Sequence, residues 1–273
     1  FDSKVNHMKK LLAFSATLLL TACATQSTSN LVPDTSAKAI LDHTNNTIIL
    51  PLDEYKYNEH DILNYQKAFD LVHATCFAKQ GKTYQFQEYI PLGTRTYGLW
   101  NVEHAQQFGF GPYPTAQTSG NDPALIETCR AEAQQLSEIS PLIDSHKELI
   151  DRISREAFSA AQKTDTWKNE REEWWACLEE QGLTPRKGDN EWGTEQDLQT
   201  FDSTNHHESI RIATLEATCS QTTGMAQTLA DLEASYQLPL IKANQSQLNQ
   251  AKEELYNQRQ KIENFINTYS NQP

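Results

Sequence analysis

The chain has 273 residues, with 23 Lys and Arg against 36 Asp and Glu, a formal net charge of −13. So acidic a chain is repelled by nucleic acid and by anionic lipid, which excludes nucleic acid as a partner. Glycine and proline number only 10 each, and 38% of residues are hydrophobic, so the composition predicts a mainly α fold long enough for real cores.

Taken in chain order, Phe1 to His7 precede Met8 and fit neither a signal nor a core. Lys9 and Lys10 form a positive flank, and Leu11 to Ala22 is apolar or small without a charge. That run is about half of the ~20 residues a membrane span needs and has the length of a secretory h-region. Leu20-Thr21-Ala22-Cys23 then resembles the lipobox of bacterial lipoproteins. The resemblance implies that residues 1–22 are removed, that the Cys23 thiol carries a diacylglycerol, and that this lipid anchor joins the protein to a membrane. Residue 24 is Ala rather than Asp. For that family this implies the outer membrane in a Gram-negative cell. In a Gram-positive cell the anchor implies the outer face of the cell membrane. Residues 23–58 read as a polar tether, with Ser27 to Lys38 rich in Ser and Thr around Pro33.

The helical body is expected over 59–273. Four further cysteines, Cys76, Cys129, Cys177 and Cys219, read as two disulfides in an exported chain. An internal similarity selects the pairing. Cys76-Phe-Ala-Lys-Gln80-Gly81 matches Cys177-Leu-Glu-Glu-Gln181-Gly182, and Thr128-Cys129 matches Thr218-Cys219. Each unit reads as helix, cysteine, Gln-Gly stop, irregular loop, and a second helix with its cysteine. Cys76–Cys129 and Cys177–Cys219 follow, each closing a loop worth about 4 kcal/mol. The first unit is expected at 59–138. A long helix and the second unit should fill 139–225, and the C-terminal helix 226–273.

Within the first unit, residues 84–113 gather aromatics, among them Tyr97, Trp100, Phe108, Phe110 and Tyr113. These are either a satellite core stapled beneath the helices or a face that takes a glycan, peptide or small solute. Tyr97-Gly98-Leu99, Ala105 and Phe108-Gly109-Phe110 lie between paired cysteines and before a long C-terminal helix. Over residues 65–270 this pattern is similar to a group of uncharacterised secreted or lipid-anchored helical proteins of actinobacteria. That resemblance implies an envelope location and carries over no catalytic residue.

Residues 142–181 hold a heptad, with Ile143, Ile150 and Ala157 on one row and His146, Ile153, Ala160, Trp167 and Trp174 on the other. Unbroken, this helix would be ~60 Å long, and Asp165-Thr166 offers a break. Ile241, Leu248, Leu255, Ile262 and Tyr269 form a second seam, with Pro239 expected to kink or split its helix. Two such seams are expected to pack antiparallel like a coiled coil within the chain.

Chemistry-bearing motifs are scarce. The sequence has no G-x-S-x-G, S-x-x-K or H-E-x-x-H, no Walker loop, and no G-x-G-x-x-G. His206-His207-Glu208 reads as a solvated helix start, and Asp189, Glu191, Glu195 and Asp197 as a solvated acidic loop. No catalytic residue, metal site or cofactor is therefore expected. The expected role is a non-enzymatic scaffold that meets an envelope protein partner. Solute binding through the loop at 84–113 and an envelope hydrolase are the alternatives.

Overall fold

The structure is a computed structural model that describes residues 31–86, 93–111, 120–134, 145–201 and 206–270. It is mainly α, with both disulfides paired as expected, Cys76–Cys129 and Cys177–Cys219. A hairpin of β1 (Ile40–Asp42) and β2 (Thr47–Ile49) pairs Leu41 with Ile48. A 3₁₀ turn, Pro51–Tyr55, leads to α1 (Glu59–Lys79). Then come α2 (Val102–Phe108), α3 (Pro123–Gln134), α4 (Lys147–Gln162), α5 (Asp165–Glu180) and α6 (Glu195–Phe201). The chain continues through α7 (His206–Thr223), α8 (Met225–Ala243) and α9 (Gln245–Ser270).

The expected tether is too long. Within 23–58, Ala39, Ile48, Leu52 and Tyr55 are buried, so the chain from Asp34 onward belongs to the body. The reason is composition. The polar run ends at Lys38, and the apolar residues beyond it bury against α4 and α8.

The two Gln-Gly stops do fold alike. Gly81 has φ +68° and Gly182 has φ +74°, the left-handed conformation that a glycine adopts without strain. Lys82 N–H donates to Phe77 O at 3.0 Å, and Leu183 N–H to Leu178 O at 2.9 Å, closing each helix in the same way. The loops they release differ. The first divides: Tyr84 packs in a small cluster with Phe77 and the Cys76–Cys129 bridge under α1 and α3, and the later residues go elsewhere. Leu99 and Ala105 pack on Ala213 and Ala217 of α7, and Tyr97 and Trp100 enter the core around Trp167 and Trp174. At Gly109, φ +60°, a Cβ would stand 2.9 Å from Ser209 Oγ, so the α2–α7 approach requires glycine.

The 142–181 seam is two helices. Its residues 142–144 lie outside the described region. The break is at Lys163–Thr164, one residue before the expected site, because Thr164 Oγ1 accepts from Trp167 N–H at 3.2 Å. Pro239 does not split its helix; α8 runs through it to Ala243, capped by Asn244. A proline cannot bond the carbonyl four residues back. That carbonyl, Ser235 O, instead accepts the N–H of Asp34 at 2.8 Å. The freed group is thus satisfied by the N-terminal segment.

Helices α4 and α8 pack antiparallel: Arg152, near the start of α4, reaches Asn244, and Ala161, near its end, shares a core with Leu229 and Ala230. Leu248 and Ala251 of α9 extend that packing to Ile150 and Ile153. Beyond them α9 turns to a different partner. Ile262, Phe265 and Ile266 pack on Ala68 and Val72 of α1, and Arg259 forms a bidentate pair with Asp61, both bonds 2.7 Å. Both seams are buried within the chain.

Candidate functional site

Tyr97 and Trp100 have relative exposures of 0% and 3%. Their faces are occupied: Tyr97 meets Trp167 and Trp192 edge-on at 5.9 and 6.1 Å, and Trp100 donates its indole N–H to Thr94 O. The loop is core, which overturns its reading as a recognition face at these two positions. Phe108 and Phe110 are half-buried, Phe110 against α7. Tyr113 lies outside the described residues. A Gly-rich sequence gives no sign of which helices its aromatics will meet.

Of two other sequence candidates, the first is ordinary surface, and in the second Asp197 is half-buried rather than solvated. His206 and His207 are exposed at the start of α7, with Glu208 paired to Arg211. In the acidic loop, Glu191 and Asp197 both pair with Arg186. Among the described residues no three His, Cys, Asp or Glu side chains gather as metal ligands. No helix among them is long and apolar enough to cross a membrane.

Arg171, which interrupts a heptad row, is 5% exposed and lies 4.7 Å from the ring centroids of both Trp175 and Trp192. It donates to the carbonyls of Gly188, Asp189 and Glu191, pinning that loop. Among the described residues no carboxylate forms an ion pair with it, and burial lowers its pKa. This is a structural cation held by π faces and backbone dipoles.

Besides Asp61 and Asp70 on α1, two glutamates are buried in the helical core. Glu216 on α7 is 1% exposed and accepts from Thr194 Oγ1 at 2.7 Å. Burial pushes its carboxyl up to about 8, against the pull of that hydrogen bond. Glu233 on α8 is 3% exposed and ends a chain of bonds. Leu52 N–H donates to Gln237 Oε1 at 3.0 Å, and Gln237 Nε2 donates to Glu233 Oε1 at 2.9 Å. Tyr97 Oη donates to Glu233 Oε2 at 2.6 Å. Burial raises the Glu233 carboxyl, the two hydrogen bonds and Lys56 oppose the rise, and Asp53 adds to it.

Glu233 differs from Glu216 in what lies above it. A half-open cleft of about 410 Å³ runs between the hairpin, the 3₁₀ turn, the Thr94–Thr96 segment and α4, with Glu233 among its lining residues. Ile48, Leu50 and Phe158 give it an apolar wall, and Lys56 and Arg155 bring positive charge. Lys56 is paired with Asp53 at 3.3 Å. The volume falls within the range of small-molecule sites. A convergent set of polar groups over one buried, perturbed carboxyl makes this the candidate site.

Sequence reasoning missed Glu216 and Glu233. The signal was present: Glu233 shares the helical row of Ala226, Leu229, Ala230 and Leu240, apolar except for Gln237. Glu216 likewise sits between Ile212 and Cys219. A carboxylate on an apolar row is a buried-group signal.

Comparison of the chain with protein-family models, with curated proteins and with solved structures finds no match.

Proposed function

We propose that this chain is a lipid-anchored envelope protein, tethered through Cys23, whose helical body binds a small solute in the cleft over Glu233. The cleft carries the reading. It brings a buried carboxyl, two cations and an apolar wall together from four segments distant in sequence. The lipobox at Leu20–Cys23 and the two disulfides support an oxidising, extracytoplasmic setting. A fragment screen by NMR on the full chain tests the binding role. Shifts confined to residues around Glu233, Phe158 and Leu50 support it; shifts elsewhere, or none, reject it. Turnover of a bound fragment would convert the reading to hydrolysis. Replacing Cys23 by Ser should release the protein from the membrane fraction; unchanged fractionation would reject the anchor.

A scaffold role is the second reading, favoured by one observation. Ile40 and Ile49 stand opposite each other on the hairpin and are 62% and 39% exposed. A photo-crosslinker at Ile40 in intact cells would capture a stoichiometric envelope protein if the hairpin is its docking point.

A further inference from the structure

Four hydrogen-bonding groups at the cleft have unused capacity, and together they specify a ligand. Arg155 lies exposed at the rim and, among the described residues, forms no hydrogen bond or ion pair. On α4, Asp151 one turn back is already bonded to Lys147, and Glu156 to Arg152. The hydroxyls of Thr94, Thr96 and Ser154 line the same cleft, and none makes a side-chain hydrogen bond among the described residues. Lys56, by contrast, is committed to Asp53.

The floor adds a directional group. Gln237 is fixed as a donor towards Glu233, because its Oε1 is taken by Leu52 N–H. Tyr97 Oη donates to the other carboxyl oxygen. Both protein neighbours thus donate to Glu233 in its ionised form. When the carboxyl itself holds a proton, Tyr97 Oη or a ligand oxygen in the cleft can accept it.

We propose that the cleft binds a small hydroxylated organic anion, its carboxylate at the Arg155 guanidinium, its hydroxyls among Thr94, Thr96 and Ser154, and one of its oxygens accepting from Glu233. The inference rests on the solute-binding reading above and names its ligand class. A planar guanidinium suits a carboxylate because it offers two parallel N–H donors. The apolar wall of Phe158 and Leu50 takes the carbon face of such a molecule.

The pH dependence follows from the groups around Glu233. Lys56 favours its anion and Asp53, on the same 3₁₀ segment, opposes it. Tyr97 and Gln237 are neutral donors, and Arg155 faces the cleft from α4. Burial dominates and holds the proton on Glu233 above the ordinary carboxylate range. As pH rises through that titration, the floor changes from a donor to a like charge, and the anion is expelled.

The test is calorimetric titration of the full chain with galacturonate, and with galactose and glucosamine as neutral and cationic counterparts. Galacturonate should bind, the other two at least tenfold more weakly, and its affinity should drop at least tenfold as pH is raised through the Glu233 titration from pH 4.5 upward. Arg155→Ala should weaken binding tenfold or more with unchanged thermal unfolding, and Arg155→Lys should restore part of it. Glu233→Gln, a neutral donor at every pH, should reduce the pH ratio to under twofold. Equal or tighter binding of galactose or glucosamine, or indifference to Arg155→Ala, overturns the anion class while leaving solute binding intact. No binding of any of the three at millimolar concentration, together with a fragment screen that moves no cleft residue, overturns both.

Discussion

Tyr97 Oη and Glu233 Oε2 lie 2.6 Å apart across 136 residues of sequence, both side chains out of water. This bond ties the loop held by Cys76–Cys129 to α8. Removing one partner of a buried polar pair costs more than the bond itself is worth, because the other is left unsatisfied. Tyr97→Phe should therefore lower stability by about 1–3 kcal/mol in urea unfolding. A double-mutant cycle with Glu233→Gln should show non-additivity; strict additivity would mean that the two groups do not interact in solution.

Glu216 gives stability a definite pH slope. Its folded value of about 8 lies above its ordinary value of 4.5, so the folded chain holds a proton that the unfolded chain has lost between those limits. Stability is then fully present below pH 4.5 and falls as pH rises towards 8, by about 1.4 kcal/mol per unit from this one group. Glu233 acts in the same direction. Urea midpoints measured from pH 4.5 to 8 should decline more steeply for the native chain than for Glu216→Gln. Parallel curves would show that Glu216 is ionised in the fold.

At Arg171, charge and shape can be separated. Methionine keeps much of the length between the two indoles but supplies no donor to the carbonyls of Gly188, Asp189 and Glu191. Arg171→Met should cost about 2–4 kcal/mol, the scale of stranded buried acceptors. Near-UV circular dichroism should change with it, since Trp175 and Trp192 lose the group between them. A neutral substitution would assign the site to hydrophobic packing alone.

Each disulfide closes a long loop, 53 and 42 residues apart in sequence. On the chain-entropy account, replacing either pair with alanines should cost about 4 kcal/mol. Peptide mapping without reductant should return only Cys76–Cys129 and Cys177–Cys219. A Cys76–Cys177 peptide would contradict the fold itself.

Local signals carried the regular half of this molecule. Helical composition, the Gln-Gly stops and the two cysteine pairs depend on neighbours within a few turns, or on an internal copy, and the folded chain bears them out. The seams of Ile150, Ile153, Leu248 and Leu255 were legible because a buried stripe repeats every turn or two. What was not legible depends on who meets whom. Tyr97 and Trp100 look the same in sequence whether they line a groove or fill a core; only the arrival of α5, α7 and α8 decides. Pro239 was misread because its usual penalty is a stranded carbonyl, and here Asp34, some two hundred residues earlier, removes the penalty. The cleft was invisible for the same reason, since its lining comes from four separated segments.

The exchange at Pro239 also fixes where mechanical load enters the body. Asp34 is held to α8 twice, by its N–H on Ser235 O and by its carboxylate on Lys242 Nζ at 2.8 Å. Tension on the chain ahead of Leu31 is therefore delivered to the C-terminal half of α8, a helix braced by α4, α5, α7 and the 3₁₀ turn. The α1–α3 end lies beyond this strain-relief point. A pull applied at Leu31 therefore meets α8 before it reaches the hairpin that walls the cleft.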